Sequence, residues 1–232
     1  INKSIGNINL LLNGNASDIN ITYSTEINAS AISSTGVVTL YRNGVNVSSQ
    51  NYLNVTLGVN YYNYTAVASE SQNYSSITIT RFVNITKGSI VLNISFSPGN
   101  NVSYLTNITA NGTGCAAELN CTLYRNGVNI NNPDTGVFGV GSYNYTFNTT
   151  GNENYSSASI SSILNINQAI GVVYTYLNNT RNSLTVGEGN SILLNSSLIN
   201  GTGNIELYNN GVLINNGSGN ISNLTTFSTV GS

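Results

Sequence analysis

The 232-residue chain carries 6 Lys or Arg against 8 Asp or Glu, a net charge of −2, and has no His, Met or Trp. Charged residues make up 6% of it, where about a quarter is usual, and Asn alone fills 44 positions. This balance excludes nucleic acid and anionic membrane as partners, which demand basic patches; with no run of about 18 apolar residues, the stretch has no membrane-spanning segment.

Without His the commonest general base and metal ligand is missing. The eight acids, Asp18, Glu26, Glu70, Glu118, Asp134, Glu153, Glu188 and Glu206, stand singly. No Asp-rich calcium loop results, and no carboxylates are paired by spacing for glycoside hydrolysis. The expectation is a protein that is not an enzyme and takes no cofactor or metal.

In chain order, Ile, Val, Thr and Tyr recur in short alternating runs bounded by Asn-Gly and Gly-Asn, while no helical apolar spacing is sustained. The chain reads as all-β. Val38-Thr39-Leu40-Tyr41-Arg42-Asn43-Gly44-Val45 returns as Cys121-Thr122-Leu123-Tyr124-Arg125-Asn126-Gly127-Val128 and, more faintly, as Ile205-Glu206-Leu207-Tyr208-Asn209-Asn210-Gly211-Val212, a spacing of about 83 residues. Three modules follow: 1–86, 87–167 and 168–232. The three Asn-Gly pairs read as type I′ hairpin turns, which need positive φ at both central residues.

In the second module the runs fall at 90–96, 104–110, 121–125, 128–131, 136–140, 143–149 and 157–165, seven short strands that fit an immunoglobulin-like β-sandwich. Residues 229–232 align with 139–142, so the third module is expected to be incomplete, lacking about its last two strands. A longer array cut short explains this, as does a neighbouring copy that donates strands. With no signal peptide at its start, the chain is expected to be a mature or internal segment.

Leu123-Tyr124-Arg125-Asn126-Gly127-Val128, Gly141-Ser142-Tyr143-Asn144-Tyr145-Thr146 and Asn154-Tyr155-Ser156-Ser157 resemble the Ig-like domain repeats of large bacterial and archaeal cell-surface proteins. The first module matches with Gly58-Val59-Asn60-Tyr61-Tyr62-Asn63-Tyr64 and Asn73-Tyr74-Ser75-Ser76. The resemblance implies tandem sandwiches at a cell surface. Tyr143 and its counterpart read either as a tyrosine corner, its hydroxyl tied back to backbone, or as core aromatics. Lys87 reads as an isopeptide donor of the kind surface Ig-like domains hold, or as a solvated lysine.

Asn-x-Ser/Thr, the acceptor for N-linked glycan, occurs 23 times. The acceptors are Asn2, Asn15, Asn20, Asn28, Asn46, Asn54, Asn63, Asn73 and Asn84 in the first module. Asn93, Asn101, Asn107, Asn111, Asn120, Asn144, Asn148 and Asn154 follow in the second, and Asn178, Asn195, Asn200, Asn216, Asn220 and Asn223 in the third. The middle residue is often apolar, as in Asn84-Ile85-Thr86 and Asn107-Ile108-Thr109, so on a strand it turns inward while Asn and Ser/Thr face solvent.

Cys115 and Cys121 flank an insertion absent from the sibling modules. In an exported chain they are expected to form a disulfide with a local, loop-stapling role. The sum of these readings is a heavily N-glycosylated extracellular, archaeal-type structural protein, a filament, stalk or surface-layer subunit partnered by copies of itself. The alternative is an adhesin that binds glycans or proteins through module loops, with Tyr174 and Tyr176 as candidate stacking residues.

Overall fold

The computed structural model describes residues 2–228. They form β-strands throughout, with one short 3-10 turn at Ser48–Gln50, arranged as tandem Ig-like β-sandwich modules. Two compact units divide the chain: residues 1–100, 108–135 and 143–164 in one, and 101–107, 136–142 and 165–232 in the other. No helix among the described residues is long and apolar enough to cross a membrane.

The first sandwich opposes a three-stranded sheet, ordered Asn9–Leu12, Ile27–Ile32, Asn54–Val55, to a five-stranded one. The larger sheet runs Ile19–Thr22, Ile77–Thr86, Asn60–Ala68, Val38–Arg42, Val45–Asn46. Its alternation is the one the sequence spells: from Tyr64 onward, Tyr64, Ala66 and Ala68 point inward while the residues between them are half-exposed. Leu10, Leu12, Ile27, Leu40, Tyr64 and Val83 fill the core at 1% exposure or less. Full burial of one such Leu or Ile contributes about 1.5–3 kcal/mol.

Where the smaller sheet ends, a side chain takes the place of a strand. Asn51 donates from Nδ2 to the Ala31 carbonyl at 2.9 Å and accepts the Ala31 N–H at 2.8 Å. Asn132 makes the same pair of bonds to Gly112, at 2.8 and 2.9 Å, so backbone groups that would otherwise be orphaned are satisfied in both modules.

The second sandwich repeats the topology, with sheets ordered Asn93–Ser97, Asn107–Thr113, Asp134–Val137 and Asn101–Ser103, Ala158–Asn167, Gly141–Thr149, Thr122–Arg125, Val128–Ile130. All seven expected strands are present, with shifted ends. The eighth, Asn101–Ser103, pairs in parallel with Asn165–Asn167; three residues after a Pro-Gly are too short for alternation to register. The third module shows a three-stranded sheet, Val172–Leu177, Ser191–Asn200, Asn220–Thr226, and the hairpin Asn204–Asn209 with Val212–Ser218. Ile192, Leu194, Ile205, Leu207 and Ile221 form its core. Residues 229–232, on which the expected truncation rests, lie outside the described residues.

The three Asn-Gly turns are type I′ as read: φ is 47° and 78° at Asn43-Gly44, 50° and 79° at Asn126-Gly127, and 49° and 81° at Asn210-Gly211. Tyr62, the first-module counterpart of Tyr143, donates its hydroxyl to the Gly58 carbonyl at 3.0 Å, the bond of a tyrosine corner.

Candidate functional site

None of the 23 sequon asparagines is buried; Asn28, Asn63, Asn84, Asn111, Asn148, Asn154, Asn195 and Asn223 are half-buried and the other fifteen are exposed. In several sequons the apolar residue between acceptor and hydroxyl turns inward, Ile85, Ile94, Ile108 and Ile221 being buried at 9% exposure or less, whereas Leu224 after Asn223 is 69% exposed. Strand pleat thus sorts the motif, core residue in and acceptor out. The acceptors differ in what their amides already do. Asn28, Asn84, Asn154, Asn195 and Asn223 each donate from Nδ2 to a neighbour, whereas Asn93, Asn107 and Asn144 are exposed and their side chains bond none of the described residues.

Cys115 and Cys121 form a disulfide, with Cα atoms 6.1 Å apart. Its role is wider than the local one expected, because Glu118 inside the loop reaches the preceding sandwich. The Tyr23 hydroxyl donates to Glu118 Oε1 at 2.8 Å, and the Asn154 amide lies 3.4 Å from Oε2. Hydrogen bonding to the carboxylate, then desolvation, pushes the Tyr23 pKa above the usual tyrosine value.

Around this bond the two sandwiches lock. Tyr23 and Tyr155 meet edge to face with centroids 5.2 Å apart, Ser24 Oγ and the Tyr155 hydroxyl are 3.2 Å apart, and Val59 donates its N–H to Asn154 Oδ1 at 3.2 Å. Gly88, in the connection, pairs with Tyr155 as a parallel bridge. It donates to the Asn154 carbonyl and accepts from the Ser156 N–H, both at 3.0 Å. A Cβ at Gly88 would sit 3.1 Å from the Tyr155 ring, a tight contact that the ring would have to yield to by a few tenths of an ångström. Lys87 donates Nζ to the Asn152 carbonyl at 2.6 Å at the rim, and so serves as a solvated hydrogen-bond donor.

Sequence reasoning left the acids isolated, yet several are employed. Arg125 Nη1 bonds Asp134 Oδ2 at 2.6 Å, and the buried Tyr145 donates its hydroxyl to the same oxygen at 2.7 Å. Burial, then the Asp134 hydrogen bond, raises the Tyr145 pKa well above the ordinary value. In the first module Arg42 Nη1 donates to Gln50 Oε1 at 2.8 Å, with the Tyr64 hydroxyl 3.5 Å away. The repeat carried this signal: an Arg in each Tyr-Arg-Asn-Gly, a Tyr twenty or so residues on, and a polar partner between. Asp18 accepts the Phe82 N–H at 2.9 Å, and Glu26 accepts the Asn54 amide at 2.9 Å. Among the described residues no group of three His, Cys, Asp or Glu could hold a metal ion.

The aromatic candidates for stacking lie on the strand Val172–Leu177 rather than in a loop. Arg181 lies over the Tyr174 ring at 3.7 Å from its centroid, a cation–π contact that covers that face.

No protein-family model matches the sequence, and a search of the curated proteins finds no match. Among solved structures the chain is similar to the fibronectin(III)-like modules of CbhA from Clostridium thermocellum, at 17% identity over 68% of this chain and 94% of that one, with a TM-score of 0.28. It is also similar to Rst D1-D2, at 9% identity over 69% and 100% of the two chains, TM-score 0.29. A third is SGBP-B of the Bacteroides ovatus mixed-linkage glucan utilization locus, solved with a mixed-linkage heptasaccharide, at 9% identity over 87% and 65%, TM-score 0.23.

Proposed function

We propose that the chain is an N-glycosylated extracellular structural subunit, whose Ig-like modules stack into the shaft of a filament, stalk or surface layer. The observation that carries this is the sorting of the sequons: no acceptor asparagine is buried, while the Ile at the centre of four of them is in the core. An outward face so written is a surface prepared for covalent glycan, which would also cover strand edges that the scarce charges cannot protect.

Further support comes from the joint, where the connection is zipped to the second sandwich through Gly88 and clamped by Tyr23, Glu118 and Tyr155. Such a joint suits a stiff array. The disulfide fits an oxidising, extracellular compartment, and copies of the same chain are the natural partners of a shaft. The adhesive reading draws less support, since Arg181 covers the face of Tyr174.

The test is intact mass together with electron microscopy of the native protein. The reading expects a mass that falls on chemical deglycosylation, and regular rods or filaments. A native protein whose mass that treatment leaves unchanged, flexible and unassembled, overturns it.

A further inference from the structure

Two rungs of the first sandwich bring sequons face to face. Asn20 and Asn84 are register partners on parallel strands, and Asn84 Nδ2 donates to Asn20 Oδ1 at 3.0 Å. Asn28 and Asn54 are register partners on antiparallel strands, and Asn28 Nδ2 donates to Asn54 Oδ1 at 3.0 Å. Neighbouring strands are about 4.8 Å apart, and directly opposed side chains have Cβ atoms about 5 Å apart. Two sugars on one rung would have to leave the sheet side by side through that space.

Resting on the glycoprotein reading above, we infer that each rung accepts one glycan only, at Asn20 and at Asn54, and that Asn84 and Asn28 are their hydrogen-bonding supports. Transfer joins the anomeric carbon of a glycosyl phosphate donor to Nδ2. The bond from that carbon to the phosphate oxygen breaks, the phosphate leaves with the electron pair, and one Nδ2 proton is lost to base. The acceptor therefore gives up one of its two amide hydrogens.

The two members of each rung are unequal in this respect. Asn28 has both hydrogens committed, to Asn54 Oδ1 at 3.0 Å and to the Tyr52 carbonyl at 2.9 Å. Asn54 has one committed, to Glu26 at 2.9 Å, and one to give. Asn84 spends one on Asn20, while Asn20 acts in that bond as acceptor through Oδ1, a role its glycosylated amide keeps. Exposure follows the same order: Asn20 and Asn54 are exposed, Asn84 and Asn28 half-buried.

The second module carries the corresponding rungs with fewer sequons. Asn101 faces Asn165 in register, but Asn165-Ile166-Asn167 has lost the hydroxyl residue, and Asn167 Nδ2 now donates to Asn101 Oδ1 at 2.6 Å. The other rung has become Thr109 and Thr135, with hydroxyls 3.2 Å apart. In neither place does the repeat hold two acceptors.

The experiment is site-resolved glycopeptide mass spectrometry of the native protein after chymotryptic digestion, with Asn93, Asn107 and Asn144 as internal references. Occupancy at Asn84 and Asn28 is expected about tenfold below that at Asn20 and Asn54, the factor that goes with one lost hydrogen bond. Occupancy above one half at both members of a rung forces doubly glycosylated molecules and overturns the inference, leaving the glycoprotein reading intact. Bare asparagines at every site, references included, overturn both.

Discussion

Tyr23 of the first sandwich and Tyr155 of the second meet edge to face at 5.2 Å, with 85° between their planes, and both belong to a joint completed by the carboxylate of Glu118. The acid comes from the one loop that distinguishes the second module from its siblings. A sequence feature that looks like a decoration of one domain is thus the contact that fixes two domains together.

Glu118→Gln removes the carboxylate whose hydrogen bond, ahead of desolvation and its charge, raises the Tyr23 pKa. The phenol is expected to titrate closer to the ordinary tyrosine value of about 10, and amide exchange at Tyr23 and at Gly88 is expected to quicken as the joint loosens. Phenolate absorbance against pH and hydrogen exchange by mass spectrometry check this. An unchanged titration would show that Glu118 does not engage Tyr23 in solution.

Replacing Cys115 and Cys121 together by Ser opens a short loop, and chain entropy sets the cost at about 2 kcal/mol. Denaturant unfolding should show the midpoint lowered at constant slope. The same variant is expected to share the faster exchange of Glu118→Gln at the joint, because the loop no longer holds Glu118 in place.

Gly112→Ala places a Cβ 2.7 Å from the Phe147 ring. Overpacking there is expected to cost about 1–3 kcal/mol. The first module shows the alternative solution, Ala31 against Ala66, at the equivalent positions. Phe147→Ala alone should cost about 3–5 kcal/mol, and the double variant less than the sum by about 1 kcal/mol, read from a cycle of unfolding free energies.

Asp134 holds both Arg125 and Tyr145. Asp134→Ala is expected to destabilise by about 1–3 kcal/mol, since it removes the carboxylate that both the half-buried Arg125 and the hydroxyl of the buried Tyr145 bond. The pH dependence follows from Tyr145, whose folded pKa lies above its unfolded value of about 10. Its contribution is fully present below that pH and is lost as pH rises through the folded pKa. Stability of the second sandwich should therefore fall on the alkaline side of pH 10, and the fall should be shallower in Asp134→Asn, where the neutral partner raises the phenol less. Unfolding followed as a function of pH measures both.

The β-sandwiches were legible because their signals are local. Period-2 alternation, Asn-Gly at the turns and a repeat near 83 residues named the strands, and Asn84-Ile85-Thr86 announced on its own which residue faces inward. The disulfide was legible from two cysteines in one insertion. What could not be read is what folding brings together from afar: Tyr23 with Glu118, 95 residues apart, and Asn20 with Asn84, 64 apart. Pairing of this kind depends on strand order and register, and a single sequence encodes neither directly. Asn101–Ser103 escaped for another reason, its three residues being too few for a period-2 alternation to register.

The parallel pairing of Ser4–Ile5 with Tyr74–Ser75, and of Ile19–Thr22 with Val83–Thr86, decides how the first sandwich meets tension. A tug that draws Ser4 one way and Thr86 the other slides these strands lengthwise past each other. Every hydrogen bond across the seam is then loaded at once instead of peeling open in turn. Rupture of the seam is a single concerted event governed by the unfolding rate, and in a strand-linked array that same rate fixes how long one module endures a sustained load.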